Sequence, residues 1–219
     1  MRLYLIRHAE PAYPHDALTA RGHRQARALA RRLDGLGSDL GIGHVYSSPM
    51  NRALETATYT AKRLGLEVEV EPWTRELEDW WVPDEAVGER PVWQVDATVL
   101  RGLGRDDWDS SPPFDAPHLG RGFERLCADA DAFLARQGCR RDGAAYRLED
   151  PPQQGIAVFC HAGLALTWLA HLLAIPPPLL WAGFSLPPAS VTTILFEELA
   201  GGGAAARCLG LGDVGLQPP

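Results

Sequence analysis

A three-layer α/β/α sandwich around a mostly parallel sheet is the fold class this sequence predicts. Strand-like and helix-like segments alternate along the chain, which favours helices packed on both faces of a sheet. Residues 3–6 and 156–160 are continuous apolar runs that stop abruptly at Arg7-His8 and at His161, as buried central strands opening into a polar site would. Between about residues 72 and 120 the periodicity is lost, and Trp80, Trp81, Trp93 and Trp108 occur among several prolines. That much aromatic surface suits a packed insert better than a linker. The expected organisation is therefore one domain over residues 1–219 with a Trp/Pro-rich, cap-like insertion at about 72–120, over the active site.

Taken in order, residues 11–18 carry Pro11, Pro14 and Asp16 and read as a loop. Thr19 reads as the N-cap of a helix whose stripe is Ala26, Leu29, Ala30 and Leu33, closed by Gly35 and Gly37. Residues 44–47 form a second strand. Ser48 and Pro49 then read as N-cap and first-turn proline of a helix to about residue 64, with Ala53, Leu54, Ala57, Ala61 and Leu64 on one face. Alternation of Glu and Val over residues 67–71 predicts an edge strand. Past the insert, residues 122–137 are helical, with Phe123, Leu126, Ala130, Phe133 and Leu134 as the stripe, and residues 140–154 read as a surface loop. An apolar helix at 164–174 ends at Pro176-Pro177-Pro178, and strands follow at 191–196 and 204–209 before a polar tail.

Composition narrows the function classes. The 219 residues carry a formal charge of −7, which opposes binding to a phosphate polymer. A chain of this length buries about 70% of its unfolded surface and needs no disulfide or metal to hold its core. All basic residues but Lys62 are arginine, a side chain whose fork matches phosphate oxygens, although a count alone does not show that use. Cys127, Cys139, Cys160 and Cys208 are too scattered for a ligand cluster and read as free thiols. The first apolar run is too short for a signal-peptide core, and no stretch approaches a membrane span, so a cytoplasmic protein without membrane partners is expected. The oligomeric state stays open.

Three junctions carry the chemistry. Arg7-His8 follows the first strand, Ser47-Ser48-Pro49 leads to Arg52 after the second, and His161 follows the strand near 160. Ligands of open α/β sheets bind at the carboxyl ends of strands, so two arginines and two histidines can converge there as an anion site. Free N–H groups at helix starts after Ser48 and after Gly163 would reinforce it. A two-histidine metal site is disfavoured, because Arg7 would repel a cation.

These residues resemble the histidine phosphatase superfamily in its phosphoglycerate-mutase-like branch. Arg7-His8-Ala9-Glu10 stands against the family's R-H-G-E, and residues 18–26, from Leu18 to Ala26, against L-T-x-x-G-x-x-Q-A. Ser47-Ser48-Pro49-Met50-Asn51-Arg52-Ala53 with Thr56-Ala57 matches S-S-P-x-x-R-A-x-x-T-A, and His161-Ala162-Gly163 matches H-G/A-G. The resemblance implies a phosphohistidine intermediate without a metal or other cofactor: His8 as nucleophile, Arg7, Arg52 and His161 as phosphate clamp with the backbone at Ala162 beside it, and a carboxylic acid that protonates the leaving oxygen. Glu76 is the first choice for that acid and Glu78 the second; Glu10 is expected to anchor rather than react, and Thr19 mostly to cap.

The family's Asn a few residues after R-H-G-E has no counterpart in Pro11-Ala12-Tyr13-Pro14, and Ala9 and Glu55 stand where Gly and Gln are usual. The expected activity is metal-independent hydrolysis of a small phosphomonoester, with the arginines of the insert (Arg90, Arg101, Arg105, Arg121) helping to choose the substrate. A phosphoglycerate-type mutase and a non-catalytic relative binding a phospho-ligand or partner are the alternatives.

Overall fold

The structure, a computed structural model, describes residues 1–35, 41–103 and 107–215. Gly37 and Arg105 lie outside the described residues. The first third comprises β1 (Arg2–Arg7), a ribbon of β2 (Pro11–Ala12) and β3 (Ala17–Leu18), α1 (Ala20–Asp34), β4 (Ile42–Ser47), α2 (Asn51–Leu64) and β5 (Val68–Val70). A hairpin of β6 (Trp81–Asp84) and β7 (Gly88–Pro91), then α3 (Ala97–Gly102), lead to α4 (Pro117–Arg136). A second hairpin, β8 (Cys139–Asp142) and β9 (Ala145–Leu148), precedes β10 (Gly155–Cys160) and α5 (Ala162–Leu173). The chain closes with α6 (Pro177–Gly183), β11 (Val191–Glu198) and β12 (Ala204–Asp213).

Eight strands form one sheet in the order β5-β4-β10-β1-β11-β12-β9-β8. The first four are mutually parallel, and β11, β12, β9 and β8 continue the sheet by antiparallel pairing. Successive side chains of a strand point to opposite faces, and both faces are covered. Leu3, Leu5, Ile156 and Val158 pack with α4, α5 and α6 on one side, while Tyr4, Ile6, Ala157 and Phe159 pack with α1 and α2 on the other. Burial on both faces explains why β1 and β10 read as unbroken apolar runs. β5 lies at the sheet edge.

Two expectations need correction. Residues 140–154 hold most of the β8–β9 hairpin rather than a plain loop. Its turn is Gly143-Ala144, with Gly143 in the left-handed region at φ 62°, and its arginine-rich strands hid the alternation. Nor is Ser48 the cap of α2: the N-cap is Met50, which offers no side-chain acceptor, and the helix starts at Asn51. The Ser48 hydroxyl is turned instead toward His161.

Within residues 72–120 the rings divide by position. Trp80, Trp108 and Phe114 are buried and pack around Trp181 of α6, with Trp108 and Trp181 perpendicular at 5.4 Å. Such edge-to-face pairs add about 0.5–1.5 kcal/mol each beyond burial. Trp81 and Trp93 instead line a cavity. No helix among the described residues is long and apolar enough to cross a membrane.

The segment after β1 is fastened to α1 by its own backbone. Thr19 caps α1 by accepting from the Gly22 N–H at 3.0 Å, the Thr19 N–H donates to the Glu10 carbonyl at 3.0 Å, and the Glu10 N–H donates to Gln25 Oε1 at 2.9 Å. A Cβ on Gly22 would sit 2.2 Å from that Glu10 carbonyl oxygen, so the backbone itself would have to move. Gly22→Ala is expected to cost about 1–3 kcal/mol by overpacking. Urea unfolding measures it, and an unchanged midpoint would mean that the segment yields freely.

Candidate active site

Three adjacent parallel strands deliver the site. β10 lies between β1 and β4, with Arg7 opposite Cys160 and Ser47 opposite Phe159, so the residues after each strand leave the sheet at the same edge. His8, Ser48 and His161 are therefore neighbours, although up to 153 positions separate them in sequence (161 − 8). The imidazoles of His8 and His161 are 5.1 Å apart and tilted by 58°.

His8 is buried, and its Nδ1 lies 2.8 Å from the Ala9 carbonyl oxygen. A carbonyl can only accept, so the Nδ1 proton points at it and Nε2 keeps its lone pair. Arg52 Nε donates to Nε2 at 3.3 Å. Burial lowers the His8 pKa to about 3, and Arg7 and Arg52 push in the same direction against the Ala9 hydrogen bond. Burial likewise drives His161 well below the ordinary imidazole value, with His8, Arg52 and Arg7 adding to it. Both rings are neutral at pH 7.

Arg52 comes from the first turn of α2 and is buried. Beyond His8 it donates to Asp16 Oδ1 and lies 3.4 Å from the Met50 sulfur. Arg7 donates through Nη1 to the Leu186 carbonyl, while its buried Nε has no partner among the described residues. His161 Nε2 is 2.8 Å from the Ser48 hydroxyl, and its buried Nδ1 is also unpartnered among the described residues. Oxygen atoms of an anion would satisfy both nitrogens.

Glu76 lies beside the start of α5. Its Oε1 accepts from the Leu164 N–H at 2.9 Å and the Leu77 N–H at 3.2 Å, and Oε2 accepts from the Gly163 N–H at 3.2 Å. Burial raises its pKa above the ordinary glutamate value, against these amides and Arg52, which favour the anion. Gly163 admits no side chain: a Cβ would meet the Trp93 ring at 2.6 Å and Glu76 Oε1 at 2.8 Å.

The helix starts differ from expectation. The Asn51 N–H of α2 is taken by Asp16 Oδ2 at 2.8 Å, and the Gly163 and Leu164 N–H groups hold Glu76 rather than facing an anion. Ala162, first residue of α5, lines the cavity, and no intrahelical carbonyl can accept its N–H. Arg7, His8, Arg52, Glu76 and Ala162 thus share one cavity of about 750 Å3; His161, its ring 5.1 Å from that of His8, is not part of the lining.

Glu10 and Thr19 are outside its lining; Thr19 Oγ1 donates to Glu10 Oε1 at 2.8 Å, and Arg21 pairs with Glu10. Glu78 lines the cavity from the surface and is paired with Arg75. Among the described arginines that the sequence assigned to substrate choice, only Arg90 reaches this cavity; Arg101 donates to the Ala182 carbonyl, and Arg121 lines a second cavity of about 530 Å3. The sequence reading gave no site role to Asp16 or Tyr13, yet Asp16 binds Arg52 and the Tyr13 ring lies 5.8 Å from its guanidinium. Asp16 has a positive φ of 45°, a backbone state that no motif signals.

The sequence profile of the histidine phosphatase superfamily (branch 1) matches residues 3–205. The chain belongs to this superfamily. Among its histidine phosphatase relatives, the adenosylcobalamin/alpha-ribazole phosphatase of Escherichia coli strain K12 is 30% identical over 192 residues, covering 83% of each protein. A phosphoserine phosphatase structure from Entamoeba histolytica superposes with a TM-score of 0.62 at 21% identity, covering 97% of both chains. The alpha-ribazole phosphatase of Shigella flexneri gives 0.57 at 23% identity, covering 98% of this chain and 97% of that one. These superpositions describe the fold shared with histidine phosphatases.

Neutral buried imidazoles tie stability to pH. An unfolded histidine takes up a proton below about pH 6.5, whereas His8 in the fold does so only near 3. Because the folded pKa is depressed, stability is complete above the unfolded value and is lost as pH falls, by up to about 1.4 kcal/mol per pH unit for each such ring. Urea unfolding at pH 7 and pH 5 should show the loss, and His8→Gln should flatten it. An identical slope in the variant would mean that His8 is already protonated in the fold.

Proposed function

We propose that this protein is a metal-independent phosphatase of small phosphomonoesters that works through a phosphohistidine. The observation that carries the reading is His8, whose Nδ1 proton is held by the Ala9 carbonyl and whose Nε2 lone pair lies beside Arg52 in the cavity. Nucleophilic imidazole must be neutral with one nitrogen unprotonated, which the lowered pKa and the Ala9 contact support; Nε2 becomes free to attack once Arg52 releases it.

In the first step Nε2 attacks phosphorus, the bond from phosphorus to the ester oxygen breaks, and the leaving oxygen takes the Glu76 proton. The raised pKa of Glu76 suits this role, and its position at the cavity wall favours it over surface-paired Glu78. Arg52 exchanges its contact with Nε2 for a phosphoryl oxygen. Arg7 and the Ala162 N–H complete the clamp with His161, whose Nδ1 donates when the Ser48 hydroxyl donates to Nε2. In the second step water attacks phosphorus, Glu76 accepts its proton, the P–N bond breaks and inorganic phosphate leaves.

Residues 81–94 supply Trp81, Arg90 and Trp93 to the cavity and act as a cap in this reading. The four free cysteines favour a reducing, cytoplasmic setting. The alpha-ribazole phosphatase, matched over 83% of both chains, supports hydrolysis, whereas the probable phosphoglycerate mutases of Enterobacter and Serratia match over only 36% and 35% of this chain. A binding-only role draws on the absent Asn; the buried neutral His8, the flanking Arg7 and Arg52 and the raised pKa of Glu76 support a catalytic role instead.

Hydrolysis of p-nitrophenyl phosphate should be unaffected by EDTA and abolished by His8→Ala, and acid-labile phosphoprotein should be trapped in the wild type alone. Turnover that survives in His8→Ala, or that EDTA removes, rejects the scheme. Glu76→Gln should lower kcat by about 10²–10⁴-fold for an alkyl ester and by much less for p-nitrophenyl phosphate, whose leaving group needs no proton. Equal losses for both would reject Glu76 as the acid.

A further inference from the structure

Away from its reacting end the cavity is apolar and aromatic. Tyr13, Trp81 and Val87 line it and are 65%, 44% and 64% exposed, three of the eight exposed large apolar side chains among the described residues, gathered at one mouth. Exposed apolar groups clustered on a cavity rim mark a surface that a ligand covers. Both tryptophans are held in place beforehand. Trp81 Nε1 donates to the Glu78 carbonyl at 2.8 Å, and the Trp93 ring is pressed against the first turn of α5 at Gly163. Rings fixed before binding lose little freedom when a ligand stacks on them.

The charges around these rings are arranged against an anion. Besides Arg7 and Arg52, the lining has one cation among the described residues, Arg90. Its Nε donates to Asp84 Oδ2 at 2.6 Å and its Nη1 to the Gln94 carbonyl at 3.3 Å. Each two-pronged edge of that guanidinium therefore has an arm in use, leaving no fork for a carboxylate. Glu78 and Glu89 also line the mouth, and Glu89 has no partner among the described residues. A carboxylate entering here would meet negative charge, with no free cation among the described residues.

We infer that this cavity selects esters whose organic part is a flat aromatic group, neutral or positively charged, and rejects esters that carry a carboxylate, such as phosphoglycerate or phosphoserine. The inference rests on the phosphatase reading for its chemistry, but the selection itself belongs to the walls. Trp81 and Trp93 take the ring, and Glu89 faces any positive charge on it.

Benzyl phosphate and 3-phosphoglycerate both leave as alkyl alcohols, so their kcat/KM values compare recognition rather than leaving-group reactivity. The aromatic ester should win by about 100-fold, as a stacked ring and an unpaired carboxylate act together. Trp81→Ala should cut that ratio about tenfold, the worth of one well-placed aromatic contact. Glu89→Lys should raise kcat/KM for 3-phosphoglycerate and lower it for benzyl phosphate.

Calorimetric titration with benzylphosphonate and 3-phosphonopropionate reads the cavity without turnover, and the first should bind at least about tenfold tighter. Equal or inverted preference in the titration, or a ratio insensitive to Trp81→Ala, overturns the inference. Loss of all turnover with the phosphonate preference intact overturns the phosphatase reading and leaves the selection standing.

Discussion

The site depends on one main-chain hydrogen bond, from His8 Nδ1 to the carbonyl of the next residue. It fixes which nitrogen of the ring carries the proton, and burial between two guanidiniums keeps a second proton away. The Arg52 N–H that donates to Nε2 works toward the same tautomer. The Ala9 N–H is held in turn by the Thr56 hydroxyl at 3.0 Å, which donates to the Arg52 carbonyl at 2.7 Å. His8 and Arg52 are thus locked to one turn of α2.

The two halves of the sheet carry different loads. Parallel strands β4, β10 and β1 bring their ends together and present the reacting groups, and crossover helices on both faces make them the most buried strands. The antiparallel half carries no group of the cavity wall. It extends the core beneath α5 and α6, where the Asp131 carboxylate accepts from His171 and Arg141 to tie the β8–β9 hairpin to α4 and α5.

Much of this was legible in the sequence because burial and junction chemistry are local signals. Residues 3–6 and 156–160 announced central strands by apolarity alone, and Thr19 announced a cap that the structure places at α1. The hairpin at 139–148 was not legible, since arginines occupy strand positions whose stems lie along the surface. Ser48 misled, because a serine before proline fits a helix cap as well as a partner for a distant imidazole, and only the sheet register decides between them. Asp16 was invisible as a partner of Arg52, since that pairing depends on a left-handed residue in a short ribbon loop. The split among the tryptophans depends on which element each packs against, which spacing along the chain does not encode.

Gly163 separates the Trp93 ring from the Glu76 carboxyl by the width of a backbone. The carboxyl proposed to deliver the proton and the ring inferred to recognise substrate consequently share one wall, with no slack between them. A lineage that reshaped the tryptophan side for a bulkier alcohol would drag the acid out of register, so new specificities in this fold are more accessible through the freely exposed β6–β7 turn than through α5.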